Sequence, residues 1–175
     1  YVGIKKNLLE GSYIPWRQGN PRSTLEDFYH KNGYFPSLKI GEKETLTNVD
    51  DFEKRQPVAV SLGINYDFWA LSEFAKDLNK TTDYQKFSPK SKDYQKLWHP
   101  KLKLFMPKDE DGNWLPINPK LDGGLGYRNY YDENNGWTYA WAVQHDIDGL
   151  IDLLDGKKAA ENRLDQLFRE PIGTQ

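Results

Sequence analysis

The chain contains no cysteine among its 175 residues. That excludes disulfides, thiolate catalysis and a cysteine-built zinc site, and it fits the cytoplasm and the periplasm equally well. It also lacks an apolar run long enough to span a bilayer, so no membrane partner is expected. Neither sign of charge dominates: 24 basic residues face 26 acidic ones, for a net charge of −2. Such a balance leaves no electrostatic footprint for a polyanion, and no nucleic-acid partner is expected. Tyr1 opens directly in folded-looking sequence, with no signal peptide in view. His30, His99 and His145 lack the paired spacing of metal ligands. Strand-like alternation, internal repeats and low-complexity tracts are absent as well.

What the chain does have is rings. Six Trp, eleven Tyr and eight Phe sit in a sequence whose mean hydropathy is −0.86. Leu and Ala normally build a helical core, so this many flat amphipathic faces asks for a reason. Sugars stack their C–H faces on such rings while their hydroxyls seek amides and carboxylates. At 20.4 kDa the chain suits one domain with a real core, residues 1–175.

Apolar periodicity predicts a mainly α fold with long loops. Residues 1–22, punctuated by Gly3, Gly11, Pro15, Gly19 and Pro21, read as irregular. Ser23 followed by Glu26 has the spacing of a capping box and predicts a short helix. Residues 31–48 read as loop or short extended chain. The clearest helix is 63–79, where Ile64, Phe68, Leu71, Ala75 and Leu78 form one stripe. Another covers about 83–98 and is interrupted by Pro89. A long helix over 136–156 is expected to bury Trp137, Ala140, Gln144, Ile147, Leu150, Ile151 and Leu154. Gly156 ends it, and 157–168 forms a last helix with Leu164, Leu167 and Phe168 inward.

The acidic turn "KDEDGNW" (108–114) fails as a calcium loop. With Gly112 at the sixth position, Pro107 and Asn118 fall where Asp and a bidentate Glu are needed, so a polar turn is expected. "NKT" at 79–81 reads as a helix end rather than a glycosylated site. Asp67 and Trp69 flank the buried stripe of the 63–79 helix, and the default for both is a solvated flank.

The stretch "YYDENNGWTYAWAVQHD" (130–146) sets Asp132, Glu133, Asn134 and Asn135 among six rings. Glu133 falls just before a helix start, where the helix dipole favours its anion. Crowding by Tyr130, Tyr131, Trp137 and Tyr139 would instead favour its acid form, the condition of a general acid in glycoside hydrolysis. Equally, Asp132 or Asn134 could simply cap the helix. The residues alone leave both readings open.

Four ordered blocks carry a resemblance. "GYFPSLKIGEKET" (33–45), "FEKRQPVAVSLGINYDFWAL" (52–71), "PKDEDGNW" (107–114) and "YYDENNGWTYAWAVQHDIDGLIDLLDGKKA" (130–159) resemble segments of the family 92 glycoside hydrolases, which are α-mannosidases. The resemblance implies part of an (α/α)6 barrel, an α/α toroid that 175 residues leave incomplete. It implies hydrolysis of α-mannosides in mannose-containing glycans with inversion, dependence on calcium, and a periplasmic or extracellular location. Within the family motif Glu-Gly/Asn-Asn-x-Trp, Glu133 matches the general acid, and Asn135 and Trp137 match the other fixed members. Tyr139, Asp67 and Trp69 join Asn135 and Trp137 as expected substrate-binding residues. The chain departs in reading "NNGWT" where many members read Gly-Asn-Ala-Trp-Gln. No residue matches the family's base or its Asn-Glu-Pro-Ser calcium segment, so the metal ligands are unassigned. The expectation is therefore a fragment inactive alone, with an open barrel face that permits self-association. The alternative is a non-catalytic carbohydrate-binding or scaffolding helical domain.

Overall fold

The computed structural model describes residues 1–15, 22–120 and 128–169. They form a mainly helical body organised around one long helix. In chain order the elements are α1 (Val2–Glu10), α2 (Thr24–Asn32), α3 (Pro57–Asp77), α4 (Thr81–Phe87) and a 3₁₀ segment (Ser88–Leu97). A two-stranded antiparallel hairpin follows, β1 (Trp98–His99) and β2 (Leu104–Phe105), with Trp98 opposite Phe105. The described chain ends in α5 (Gly136–Tyr139), α6 (Ile147–Leu153) and α7 (Lys157–Arg169).

Helix α3 is the spine because its apolar stripe meets neighbours on more than one side. Val58 and Leu62 pack with Tyr94, Leu97, Trp98, Phe105, Tyr131, Val143 and Leu150. Ile64, Phe68 and Leu71 pack with Leu8, Leu25, Tyr29, Phe35 and Phe87. The predicted stripe is buried except at Leu78, which is 51% exposed. The helix begins at Pro57 rather than at residue 63. Proline at a first helical position has the right φ and loses no hydrogen bond, and that signal extends the helix beyond the periodic residues. Gly63 lies on the exposed side of a helix already under way.

The capping box predicted for α2 is present: the Ser23 hydroxyl caps the helix while Glu26 returns to the Ser23 backbone N–H at 2.6 Å. Pro89 ends α4 as expected, and the chain continues as 3₁₀ turns. The turn at 108–114 is polar, with Asp109 Oδ1 accepting from the N–H groups of Asp111 and Asn113.

Three expectations are corrected. Residues 2–10 are helical, because Leu8 finds a buried seat in the cluster around Phe68 and Lys5 pairs with Asp83 of α4 at 2.7 Å. The glycines and prolines that suggested irregular chain fall mostly after this helix. The predicted helix 136–156 is broken in two. After Tyr139 the backbone closes i→i+3 turns, and Asp146 then leaves helical geometry to cap α6 by accepting from Gly149 N–H. Gln144 and Ile147, expected on the buried face, are consequently exposed. In α7, Leu167 packs against the body, but Leu164 and Phe168 are 40% and 81% exposed rather than inward.

Candidate active site

The loop carrying Glu133 is held by its neighbours in sequence, not by Glu133 itself. Its entry is pinned to the start of α3: Gln56 N–H donates to the Arg128 carbonyl at 3.2 Å, and Val58 N–H donates to the Tyr130 carbonyl at 3.0 Å. Both N–H groups lie at a helix N-terminus, where the helix itself cannot satisfy them. Tyr131 is fully buried and its hydroxyl donates to the Phe105 carbonyl at 2.8 Å, tying the loop to β2. The Tyr139 hydroxyl then bridges both backbone groups of Asp132. Burial pushes the Tyr139 phenol above its ordinary value.

Helix capping at the loop's end falls to Asn135. Its side-chain oxygen accepts from the N–H groups of Trp137 and Thr138 at 3.0 and 3.2 Å. Gly136 approaches closely enough that an added Cβ would stand 2.7 Å from the Tyr131 hydroxyl and 2.8 Å from Pro119 Cβ. This crowding leaves no room for a Cβ at residue 136.

Glu133 is thereby set out on the surface. Its φ of 50° is in the left-handed region, uncommon for a residue with a Cβ. Its side chain is 69% exposed, and its Oε1 accepts from Arg128 Nη2 at 2.6 Å. Arg128 also reaches Asp132 at 2.8 Å and Glu53 at 3.1 Å, while its own side chain is only 8% exposed. The exposed Phe52 ring lies 4.8 Å from the guanidinium carbon. Hydrogen bonding to Glu133, foremost, raises Arg128 above the ordinary arginine value, and the charges of Glu53, Glu133 and Asp132 add to this against the effect of burial. A cavity of about 170 Å³ lies beside this loop, with Asn129 and Tyr130 in one wall and Val49, Lys54 and Arg55 in another.

The expected crowding of Glu133 by rings is not what forms. Tyr131 and Trp137 turn into the core, and the carboxylate faces solvent and Arg128. Trp137 is 4% exposed, packed with Leu104, Met106 and Ala140, and it lies 4.0 Å from the Arg163 guanidinium and 4.4 Å from Lys120 Nζ. Asn135, Trp137 and Tyr139, expected to bind substrate, have observed contacts that fix the loop. Asp67 and Trp69 are both carried by α3 but have different neighbours. The half-buried Trp69 lies within 5.3 Å of the Tyr66 ring and 6.1 Å of His145. Asp67 instead acts on the phenols of Tyr13 and Tyr29, and desolvation raises its carboxyl above its usual range.

Sequence reasoning missed Arg128 and Glu53. Arg128 stands four residues before Asp132, a spacing that hints at an ion pair, but nothing in the sequence brings Glu53 to it. Among the described residues, no three His, Asp or Glu side chains gather as ligands for a metal. The calcium implied by the resemblance therefore has no ligand set to assign here.

The site as built is an exposed carboxylate on a surface loop whose flanks are anchored in the core. The chain matches the model described as the glycosyl hydrolase family 92 catalytic domain over residues 4–175, and it belongs to that family. Its fold is similar to that of the family 92 inverting mannosidase BT2199 of Bacteroides thetaiotaomicron. That alignment has a TM-score of 0.71 at 22% identity, covering 94% of this chain and 20% of the other. The family 92 α-mannosidase BT3965 of the same organism aligns with a TM-score of 0.71 at 26% identity, over 99% of this chain and 20% of its own. In complex with mannoimidazole, BT3965 aligns over 100% of this chain with a TM-score of 0.74. The chain spans about 20% of the length of these structures. A search of curated proteins gives no significant match.

Proposed function

We propose that this chain forms part of the catalytic domain of an inverting α-mannosidase, with Glu133 as its general acid. The observation that carries the reading is the placement of Glu133: an exposed carboxylate on a loop that Tyr131, Asn135 and Tyr139 hold in place. Family membership and the mannosidase names of the similar structures support the substrate class, mannose-containing glycans.

In the proposed step the Glu133 carboxylic acid gives its proton to the glycosidic oxygen as the C–O bond breaks, and the leaving sugar departs as a neutral alcohol. Water attacks the anomeric carbon from the opposite face and loses its proton to a base. In inverting enzymes that base stands roughly 6.5–9.5 Å from the acid. Neither the base nor the calcium ligands are assigned to residues of this chain. The full (α/α)6 barrel, the calcium requirement and a periplasmic or extracellular site of action belong to the proposal on the same family grounds. Asn135, Trp137 and Tyr139 shape the loop, while Trp69 with Tyr66 offers rings to a glycan and Asp67 a separate carboxylate. Exposed Val2, Ile4, Phe74, Leu78 and Phe168 support self-association, or docking with further parts of a barrel.

The test is turnover of an α-mannoside with a sugar leaving group, such as a mannobiose, by a catalytically complete enzyme containing these residues. Glu133→Gln is expected to lower kcat by about 10²–10⁴-fold, the usual share of a general acid. The 175-residue chain alone is expected to show no turnover. Undiminished kcat in the variant would contradict the assignment. If the chain instead served as a non-catalytic sugar-binding domain, Glu133→Gln would leave mannose binding intact and no complete enzyme would turn over.

A further inference from the structure

We infer that Arg128 is a positioning residue for Glu133, a latch whose fixed side is buried and whose movable side is the Glu133 carboxylate. The inference rests on the reading of Glu133 as the general acid.

The asymmetry of the cluster points to it. One guanidinium serves three carboxylates, those of Glu53, Asp132 and Glu133. Arg128 is 8% exposed and Glu53 18%, whereas Glu133 is 69% exposed. If Glu133 swings away, Arg128 keeps Asp132 at 2.8 Å and Glu53 at 3.1 Å, so no buried cation is orphaned. Asp132 is fixed through its backbone by Tyr139, and Glu53 by the Gln56 amide at 3.2 Å, so neither can follow. Glu133 gives up one solvent-facing hydrogen bond and has water to replace it.

The chemistry requires such a movement. A general acid must turn its proton-bearing oxygen toward the glycosidic oxygen, whereas the Glu133 oxygen that accepts from the guanidinium at 2.6 Å faces Arg128. The proton then passes to the glycosidic oxygen, which leaves as the alcohol oxygen with its bonding pair. Glu133 is again an anion, and Arg128 stands ready to take it back. The groups facing this site are thus Arg128, Glu53, Asp132 and Tyr139, with the Phe52 ring against the guanidinium.

The experiment compares Arg128→Gln and Arg128→Lys with the parent in a catalytically complete enzyme containing this chain, turning over a mannobiose. Arg128→Gln is expected to lower kcat by up to about 10²-fold with KM little changed, the signature of a misplaced reacting group rather than of lost substrate binding. Arg128→Lys should restore part of the loss, because it returns the charge without the fork that serves several carboxylates. Should Arg128→Gln fail to fold, Arg128→Lys carries the test through a smaller fall in kcat. An unchanged kcat in a folded variant, or a loss confined to KM, overturns the latch. That outcome is separable from failure of the general-acid reading, which shows as an undiminished kcat in Glu133→Gln.

Discussion

Glu26 and Glu133 are two glutamates near helix starts, and the structure uses them in opposite ways. Glu26 is completely buried and accepts from the hydroxyls of Ser12 and Ser23 and the backbone N–H groups of Tyr13 and Ser23. Glu133 is mostly exposed and meets a guanidinium. Burial alone would raise the Glu26 carboxyl, but those hydrogen bonds outweigh it and hold the group below its usual range. A carboxylate wrapped in fixed neutral donors has no freedom to exchange a proton with a ligand. One on a surface loop is open to a ligand. The difference separates a carboxylate that builds the fold from one that the proposed step can use.

The comparison can be broken in several ways. The largest expected effect is on catalysis, where Glu133→Gln costs about 10²–10⁴-fold in kcat and the corresponding change at Glu26 acts only through stability. Next is folding free energy. Glu26→Ala strips a buried network and should destabilise the chain by about 3 kcal/mol in denaturant unfolding, as truncation of buried hydrogen-bonded charges does. Smaller is the acid response. Because the folded state holds Glu26 below its unfolded value, its stabilisation is complete above the unfolded value and is lost as pH falls through the folded one. Glu44 behaves the same way: burial raises it, but the Arg55 hydrogen bond and its backbone contacts win. Thermal melts should therefore fall steeply on the acid side of pH 4.5, and less steeply in Glu26→Gln. The smallest effect is that of Glu133→Ala on stability, expected within about 0.5 kcal/mol of the parent as for other exposed positions. A large loss there would mean that Glu133 is structural after all.

Much of this was visible in the sequence, for stated reasons. The capping box at Ser23 and Glu26 is a local signal between residues three apart, and it formed as read. The stripe from Ile64 to Ala75 is likewise local periodicity, and it fixed α3 apart from its early start at Pro57. The break at Asp146 was hidden because its cause is distant. Tyr94 donates to Asp146 at 2.7 Å and the His145 Nε2 lies 2.9 Å from the Ser91 carbonyl, so the 3₁₀ segment draws these residues out of a helix that periodicity would continue. The site divides along the same line. Glu133 stood out through its motif, whereas the setting of its carboxylate depends on Arg128 and Glu53, which only the fold brings together.

The most direct test of Glu133 as the general acid varies the leaving group in a catalytically complete enzyme containing this chain. A protonated acid matters when the departing oxygen is basic and little when it is not. Glu133→Gln should therefore lose about 10²-fold or more in kcat/KM on a mannobiose and stay near the parent on a dinitrophenyl α-mannoside, whose leaving group needs no proton. Equal losses on both substrates would contradict the account.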